Sequence, residues 1–427
     1  MEKLAVQRFT THAESNHLFP SNQSAYRKFH STETAVTAVH NDIVRAVDSG
    51  CVSALVLLDL SAAFDTIHHS TLNTVLHDRF GVTSSALDWF DSYHANRTQS
   101  VHIGLQSSAP RKLTRGVPQG SIIGPVEFIS YTEDLVNLVS LSSILAHLFA
   151  DDTQLLASMQ LSAVPASISN IQTCIANISL WCASRGLQLN ADKTELIWFG
   201  SASNLAKLNL QDHCITIDSV TIKPSESVRD LGVLFDYQLS MRSHISKIYS
   251  VCFYHLRRLR QLRHILHSAT RQRLACALIL TRIDYCNSVL AGLPATTIAP
   301  LQRVMNAAAR FVLGLGPRDH ITSALASLHW LPVKFRILFK LCTIMHSIFN
   351  GVAPSYMVNS VTNISSIPSR SCLRSASVGK FNIPATRTHF GDRAFSVAGP
   401  RAWNSLPDDI RSITSPVTFK KKLKNHF

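Results

Sequence analysis

What the chain lacks narrows it first. Its nine cysteines, among 427 residues, are spaced singly, and no two stand at the C-x-x-C interval that a zinc site or redox motif needs. An odd count in a long chain also argues against a disulfide framework, so these thiols read as small buried hydrophobes. The longest apolar stretches, "SALVLLDLSAAF" and "LACALILTRIDY", are cut by charge well before a bilayer could be spanned. The start is polar and acidic rather than charged-then-apolar, so no signal peptide is expected, and no internal repeat or low-complexity tract is visible. These absences predict an intracellular, soluble chain with no membrane partner. Hydrophobic content of 46% beside 16% charged residues marks it as globular. Its length suggests roughly two to four domains.

Acidic residues are nearly missing from the second half. Residues 1–237 hold 15 Lys/Arg against 22 Asp/Glu, a net −7, whereas residues 238–427 hold 26 against 5, a net +21. A polyanion-binding half joined to a mildly acidic half fits a nucleic-acid enzyme whose carboxylates do the chemistry. A basic membrane-surface domain fits less well, because the cations are spread over many helical segments rather than gathered in one cluster.

Periodicity gives the organisation. Val36, Val39, Ile43 and Val47 in "ETAVTAVHNDIVRAVD" predict an amphipathic helix, and "VSALVLLDLS" after Gly50 reads as a buried strand. Helical patterns run from "STLNTVLHDRF" to "SSALDWFDSYHAN", and "SVHIGLQS" resembles an exposed strand. "ILAHLFADDTQLLAS" gives two apolar strands around an acidic turn, followed by a helix through "SNIQTCIANISLWCASRG". Further strands are expected in "ELIWFG", in "ITIDSVTI" and in "RDLGVLFD". This order is that of an α+β fold with an antiparallel sheet and helices on one face. From about Ser240 onward the pattern is helical and basic, and the Ser-, Pro- and Asn-rich stretch from about Asn350 to Lys380 reads as a linker or loosely packed region.

Three features carry chemistry. Asp59 ends an apolar strand, where an unpaired carboxylate is costly, although an ordinary helix-capping Asp also fits. Asp151 and Asp152 occupy a turn that Phe149 and Ala150 enter with no Gly or Asn to tighten it. Asp59 and Asp151 on neighbouring strands could bind hard cations such as Mg²⁺, which accepts one or two carboxylates plus waters and phosphates. "RGVPQGSIIGP" sets Gly116, Gly120 and Gly124 at four-residue intervals around Gln119, letting backbone approach a ligand. That loop matches neither the dinucleotide nor the P-loop pattern.

The successive segments "LVLLDLSAAFDTIHH", "RGVPQGSIIGP", "LFADDTQLL", "LQLNADKTELIWFG" and "VRDLGVLFD" resemble the ordered palm motifs of reverse transcriptases, most closely those of LINE-type (non-LTR) retrotransposons. "NQSAYRKFHSTETA" resembles the family's fingers segment, and the likeness extends through "VAGPRAWNSLPDDIRS" to the end. It implies a right-hand polymerase: fingers and palm over 1–237, a helical thumb over 238–320 and a basic C-terminal region over 321–427. It implies Asp59, Asp151 and Asp152 as ligands of two Mg²⁺ (or Mn²⁺) ions and Phe64 as a steric gate against the ribose 2′-hydroxyl. Gln119 and Gly120 would line the nucleotide pocket, Arg27 would neutralise the triphosphate, and Lys193 would stand near the pyrophosphate, where a plain surface lysine is the competing reading. "VRDLGVLFD" would grip the primer end. The partners implied are an RNA template, a DNA primer and dNTPs, with residence in nucleus or cytoplasm.

Two substitutions depart from the family's pattern. His68 stands where an acid is common, and Glu127 stands where an apolar Leu is usual, a burial that costs several kcal/mol or so if unpaired. Nothing in these residues resembles the upstream endonuclease of a full LINE protein, so a truncated, catalytically silent remnant that at most binds nucleic acid is the alternative expectation.

Overall fold

The apolar runs of the first half pair into one sheet. The computed structural model describes residues 1–61, 63–208, 213–217, 219–367 and 379–427. Its chain divides into two compact units, one of residues 1–31, 54–198 and 207–225, the other of 32–53, 199–206 and 226–427. In chain order come α1 (Glu2–Ser15), α2 (Thr32–Asp48, second unit), β1 (Val52–Leu58), α3 (His69–Asp78) and α4 (Ser84–His94). The segment read as one exposed strand is instead two short antiparallel pairs, β2 (Thr98–Gln99) with β5 (Arg111–Lys112) and β3 (His102–Ile103) with β4 (Gln106–Ser107). Gly104, at φ +60°, supplies the reversal that the pattern alone hid.

Helices α5 (Gly124–Tyr131) and α6 (Leu135–Ser140) lead into β6 (Leu145–Phe149) and β7 (Asp152–Met159); α7 (Val164–Ser184) and β8 (Glu195–Phe199) follow. The sheet order is β6–β7–β1–β8, with β6 and β7 antiparallel and Phe149 opposite Asp152. β1 is buried along nearly its whole length, as a central strand must be. α7 buries Ile171, Cys174, Ile175, Ile178 and Cys182, the i, i+3/i+4 stripe of a helix lying on a core. Phe9 of α1 packs on Phe80 and Phe90 at ring separations of 5.3 and 5.9 Å, tying the first helix to the α3–α4 layer. Glu127 is buried as expected, but it is paired with His94, so the penalty foreseen for a lone charge does not arise.

In the second unit, the strands Ser227–Asp230 and Val233–Asp236 form the hairpin read in "VRDLGVLFD". Asp236 then accepts from the N–H groups of Ser240 and Met241, both at 2.8 Å, and so leads into the basic helix Arg242–Gln261. That helix buries Ile245, Cys252, Leu256 and Leu259 and exposes Arg257, Arg258 and Arg260. Helices Ala295–Leu313, Val333–Phe349 and Phe395–Asn404 complete its core. Glu33 is a hub: Lys340 Nζ lies 2.8 Å from Oε2, and the Ser288 N–H donates to Oε1 at 3.1 Å. Within the stretch read as a linker, Ser355–Val358 is helical and Ile364–Ser366 is a 3-10 turn, while 368–378 lie outside the described residues. Among the described residues eight cysteines stand outside any disulfide, and no helix is long and apolar enough to cross a membrane.

His40 and His244 are buried in this second unit. Burial, with Arg393 adding repulsion, lowers His40 to about 3, and burial alone lowers His244 to about 4. Both stay neutral in the folded chain while the unfolded chain takes up protons near pH 6.5, so each withdraws stability as pH falls from there toward 4. Thermal melts across that window should show the loss, and His40→Leu and His244→Leu should each flatten it. An unaltered slope in both variants would refute the assignment.

Candidate active site

Asp59 is placed by backbone pairing just beyond β1. Its carbonyl accepts the Asn190 N–H at 2.9 Å, the Ser61 N–H donates to the Gln188 carbonyl at 2.9 Å, and Leu60 bridges antiparallel to Leu189. The Oδ2 atom is buried without a hydrogen-bond partner among the described residues, and its nearest cation is Lys193 Nζ at 3.4 Å. Lys193 closes a 3-10 turn (Ala191–Lys193) whose first residue follows the capping Asn190. Because the ammonium is 68% exposed, the pair contributes little stability; its consequence is positional.

Asp151 and Asp152 stand where β6 turns into β7. With no glycine available, Ala150 itself adopts φ +57°, a left-handed conformation that costs roughly 1–2 kcal/mol. The turn is held from outside. Ala150 N–H donates to Gln23 Oε1 at 3.1 Å, and the same oxygen accepts from Ala25 N–H at 3.0 Å. Gln23 is fixed in turn because its segment lies along β6. Leu148 N–H donates to the Asn22 carbonyl at 2.9 Å, and Ser24 N–H donates to the Leu148 carbonyl at 2.8 Å. Gln23 is thus a residue of the site that sequence reasoning missed; its only signal was its place in the fingers-like segment.

Two of the three carboxylates are raised by burial and by a neighbour's charge. Desolvation, then the charges of Asp151 and Asp59, raises Asp152 to about 6. Asp151 is also raised, by desolvation first and Asp59 in addition, with its own backbone N–H and Lys193 opposing. Carboxylate oxygens are the donors that hard divalent cations prefer. Among the described residues no three His, Cys, Asp or Glu side chains form a complete metal cage.

The glycine-rich loop is built onto the segment after Asp59. Gly116 N–H donates to the Ile67 carbonyl at 2.8 Å and Val117 N–H to the Phe64 carbonyl at 3.0 Å. Gly116 has φ +84°, and a Cβ there would meet the Asp65 carbonyl oxygen at 2.9 Å, so only glycine fits. Gln119 Nε2 donates to both Asp65 carboxylate oxygens at 3.1 and 3.2 Å, and the Gly120 backbone is open. Phe64 stacks on Phe128 with centroids 4.7 Å apart. His68, the other departure, packs against Gly186, where any Cβ would strike its ring. Arg27 is engaged internally: its Nε and Nη2 each lie 2.8 Å from a Glu14 carboxylate oxygen, and Nη1 reaches the carbonyls of Pro20 and Gln23. The structure therefore brings Asp59, Asp151, Asp152 and Lys193 into one electrostatic cluster, and it pairs the loop carrying Gln119 and Gly120 with the separate segment carrying Phe64. Arg27 is held by Glu14.

An α+β sheet with acids at its end, and a glycine-rich loop in the same unit, are the setting in which the family match falls. The chain belongs to the reverse transcriptase (RNA-dependent DNA polymerase) family, whose pattern residues 1–235 match. It is related to enzymes of non-LTR retrotransposons. Identity is 25% over 266 residues to a probable RNA-directed DNA polymerase from transposon BS of Drosophila melanogaster, covering 61% of this chain and 28% of that one. The RNA-directed DNA polymerase from the mobile element jockey of the same organism is 24% identical over 255 residues, covering 58% of this chain and 26% of that one. The chain thus spans about a quarter of the length of these relatives. A telomerase from Candida albicans superposes with a TM-score of 0.39 at 12% identity, over 84% of this chain and 51% of that one.

Removing the Gln23 acceptor leaves the buried Ala150 N–H unpaired. Gln23→Leu should therefore lose about 1–3 kcal/mol of stability in urea denaturation. A midpoint equal to wild type would show that the turn needs no such support.

Proposed function

We propose that this chain is an active RNA-directed DNA polymerase, adding dNTPs to a DNA primer on an RNA template, with Asp59, Asp151 and Asp152 as its metal-binding acids. The buried Asp59 oxygen that accepts no hydrogen bond among the described residues, close enough to Asp151 and Asp152 for its charge to help raise both, is the observation that carries this reading. These residues would hold two Mg²⁺ or Mn²⁺ ions, which when bound neutralise phosphate charge and polarise the attacking hydroxyl.

The protein's own groups do the rest by position and charge. The primer 3′-hydroxyl attacks the α-phosphate of the dNTP and pyrophosphate leaves, with Lys193 placed to share charge or a proton with it. The Phe64 ring, fixed on Phe128, excludes a 2′-hydroxyl. Gln119, oriented by Asp65, and Gly120, whose bare backbone permits close approach, line the nucleotide pocket. Arg27 serves the triphosphate only if it exchanges Glu14 for phosphate. Residues 1–237 act as fingers and palm, 238–320 as thumb and 321–427 as a basic region following the nucleic-acid backbone.

Primer extension on poly(rA)·oligo(dT) with Mg²⁺ or Mn²⁺ should be robust in wild type and fall to background in Asp151→Ala. A folded wild type that binds the duplex yet does not extend it would instead establish a silent nucleic-acid-binding remnant. Phe64→Val should relax discrimination against ribonucleotides by about a hundredfold. Unchanged discrimination would remove Phe64 from the gate.

A further inference from the structure

Glu127 is 1% exposed on α5, and its Oε1 accepts the Nε2 proton of His94, itself 3% exposed, at 2.9 Å. His94 ends α4, and its ring lies on that of His69, the first residue of α3, with centroids 4.4 Å apart and planes 24° from parallel. His69 Nε2–H then donates to the Gly116 carbonyl at 2.8 Å. One run of contacts thus leads from a buried carboxylate to the first turn of the loop carrying Gln119 and Gly120.

The loop needs such an anchor. Gly116 and Gly120 both have positive φ, and glycine-rich backbone holds no conformation by itself. The N–H groups of Gly116 and Val117 are fixed by the carbonyls of Ile67 and Phe64. The Gly116 carbonyl is fixed by His69. A lone imidazole at a helix start would be free to turn. Here His94 lies across one face, and Glu127 locks His94, whose Nδ1, like Glu127 Oε2, has no other partner among the described residues. Neither member can leave without stranding the other in the core.

We propose that Glu127, His94 and His69 are positioning residues that set the glycine-rich loop and, through it, the dNTP pocket, an inference that rests on the polymerase reading above. His69→Phe keeps the ring and its stacking but removes the donor. Hydrogen exchange of the full chain should then show the Gly116 and Val117 amides exchanging at least about tenfold faster, with β6 and β7 unchanged. In primer extension the KM for dNTP should rise by about tenfold to a hundredfold, with KM for template–primer and melting temperature near wild type. Glu127→Leu should shift both readouts the same way with a lower melting temperature, and Glu127→Gln, which still accepts from His94, should restore them. Unchanged exchange and unchanged KM for dNTP in a folded His69→Phe would reduce the trio to ordinary core packing and overturn the proposal. A wild type that does not extend a primer sinks the polymerase reading instead. The exchange arm then decides alone, faster loop exchange sustaining the anchor and unchanged exchange refuting it.

Discussion

Three carboxylates gathered at the end of an apolar sheet repel one another, and much of the first unit serves to hold them there. Withdrawal of water first, and then a neighbouring charge, raises both Asp151 and Asp152. Side-chain contacts among the acids cannot supply the restraint, so backbone does. The pairing of Asp59 with Asn190, the β6–β7 register and the Gln23 clamp on Ala150 all fix main chain rather than carboxylate. Carboxylate oxygens that this arrangement leaves without hydrogen bonds remain available to cations.

The same economy of pairing recurs wherever charge enters a core. Glu33 meets Lys340 and Ser288, and Arg393 donates to the Leu239 carbonyl at 2.7 Å while burial lowers it to about 10. Glu127 belongs with these. Beside a family pattern that favours leucine it looks like damage, yet its partner lies 33 residues earlier, at the end of another helix. A decayed core would leave such a charge stranded. A compensated one argues that this part of the palm is packed coherently.

Much of the architecture was legible because it rests on local pattern. Val36, Val39 and Ile43 announce α2, the uninterrupted run into Asp59 announces a buried strand, and five ordered motifs mark the family. What escaped depends on long-range partners. Gln23 is an unremarkable polar residue until the fold sets it 127 positions from Ala150. Arg27 carries a charge that suits phosphate, and only three dimensions reveal Glu14 already occupying its fork. Ala150 offers no turn signal because tertiary bonding, not residue type, imposes its left-handed conformation. Nor does linear order show that α2 clusters with residues beyond 226 rather than with the strand that follows it.

The division of charge completes the physical case. Residues 1–237 carry a net −7, which on balance repels a polyphosphate backbone. Attraction must then come from elsewhere, and residues 238–427 supply a net +21. The helix Arg242–Gln261 shows how such charge is kept available: its apolar stripe is buried and its arginines face solvent. Contacts of that kind release counterions and ignore base identity. On the proposed reading, grip on the nucleic acid would weaken steeply with salt, while the chemistry, set by carboxylates a short distance apart, would be screened far less.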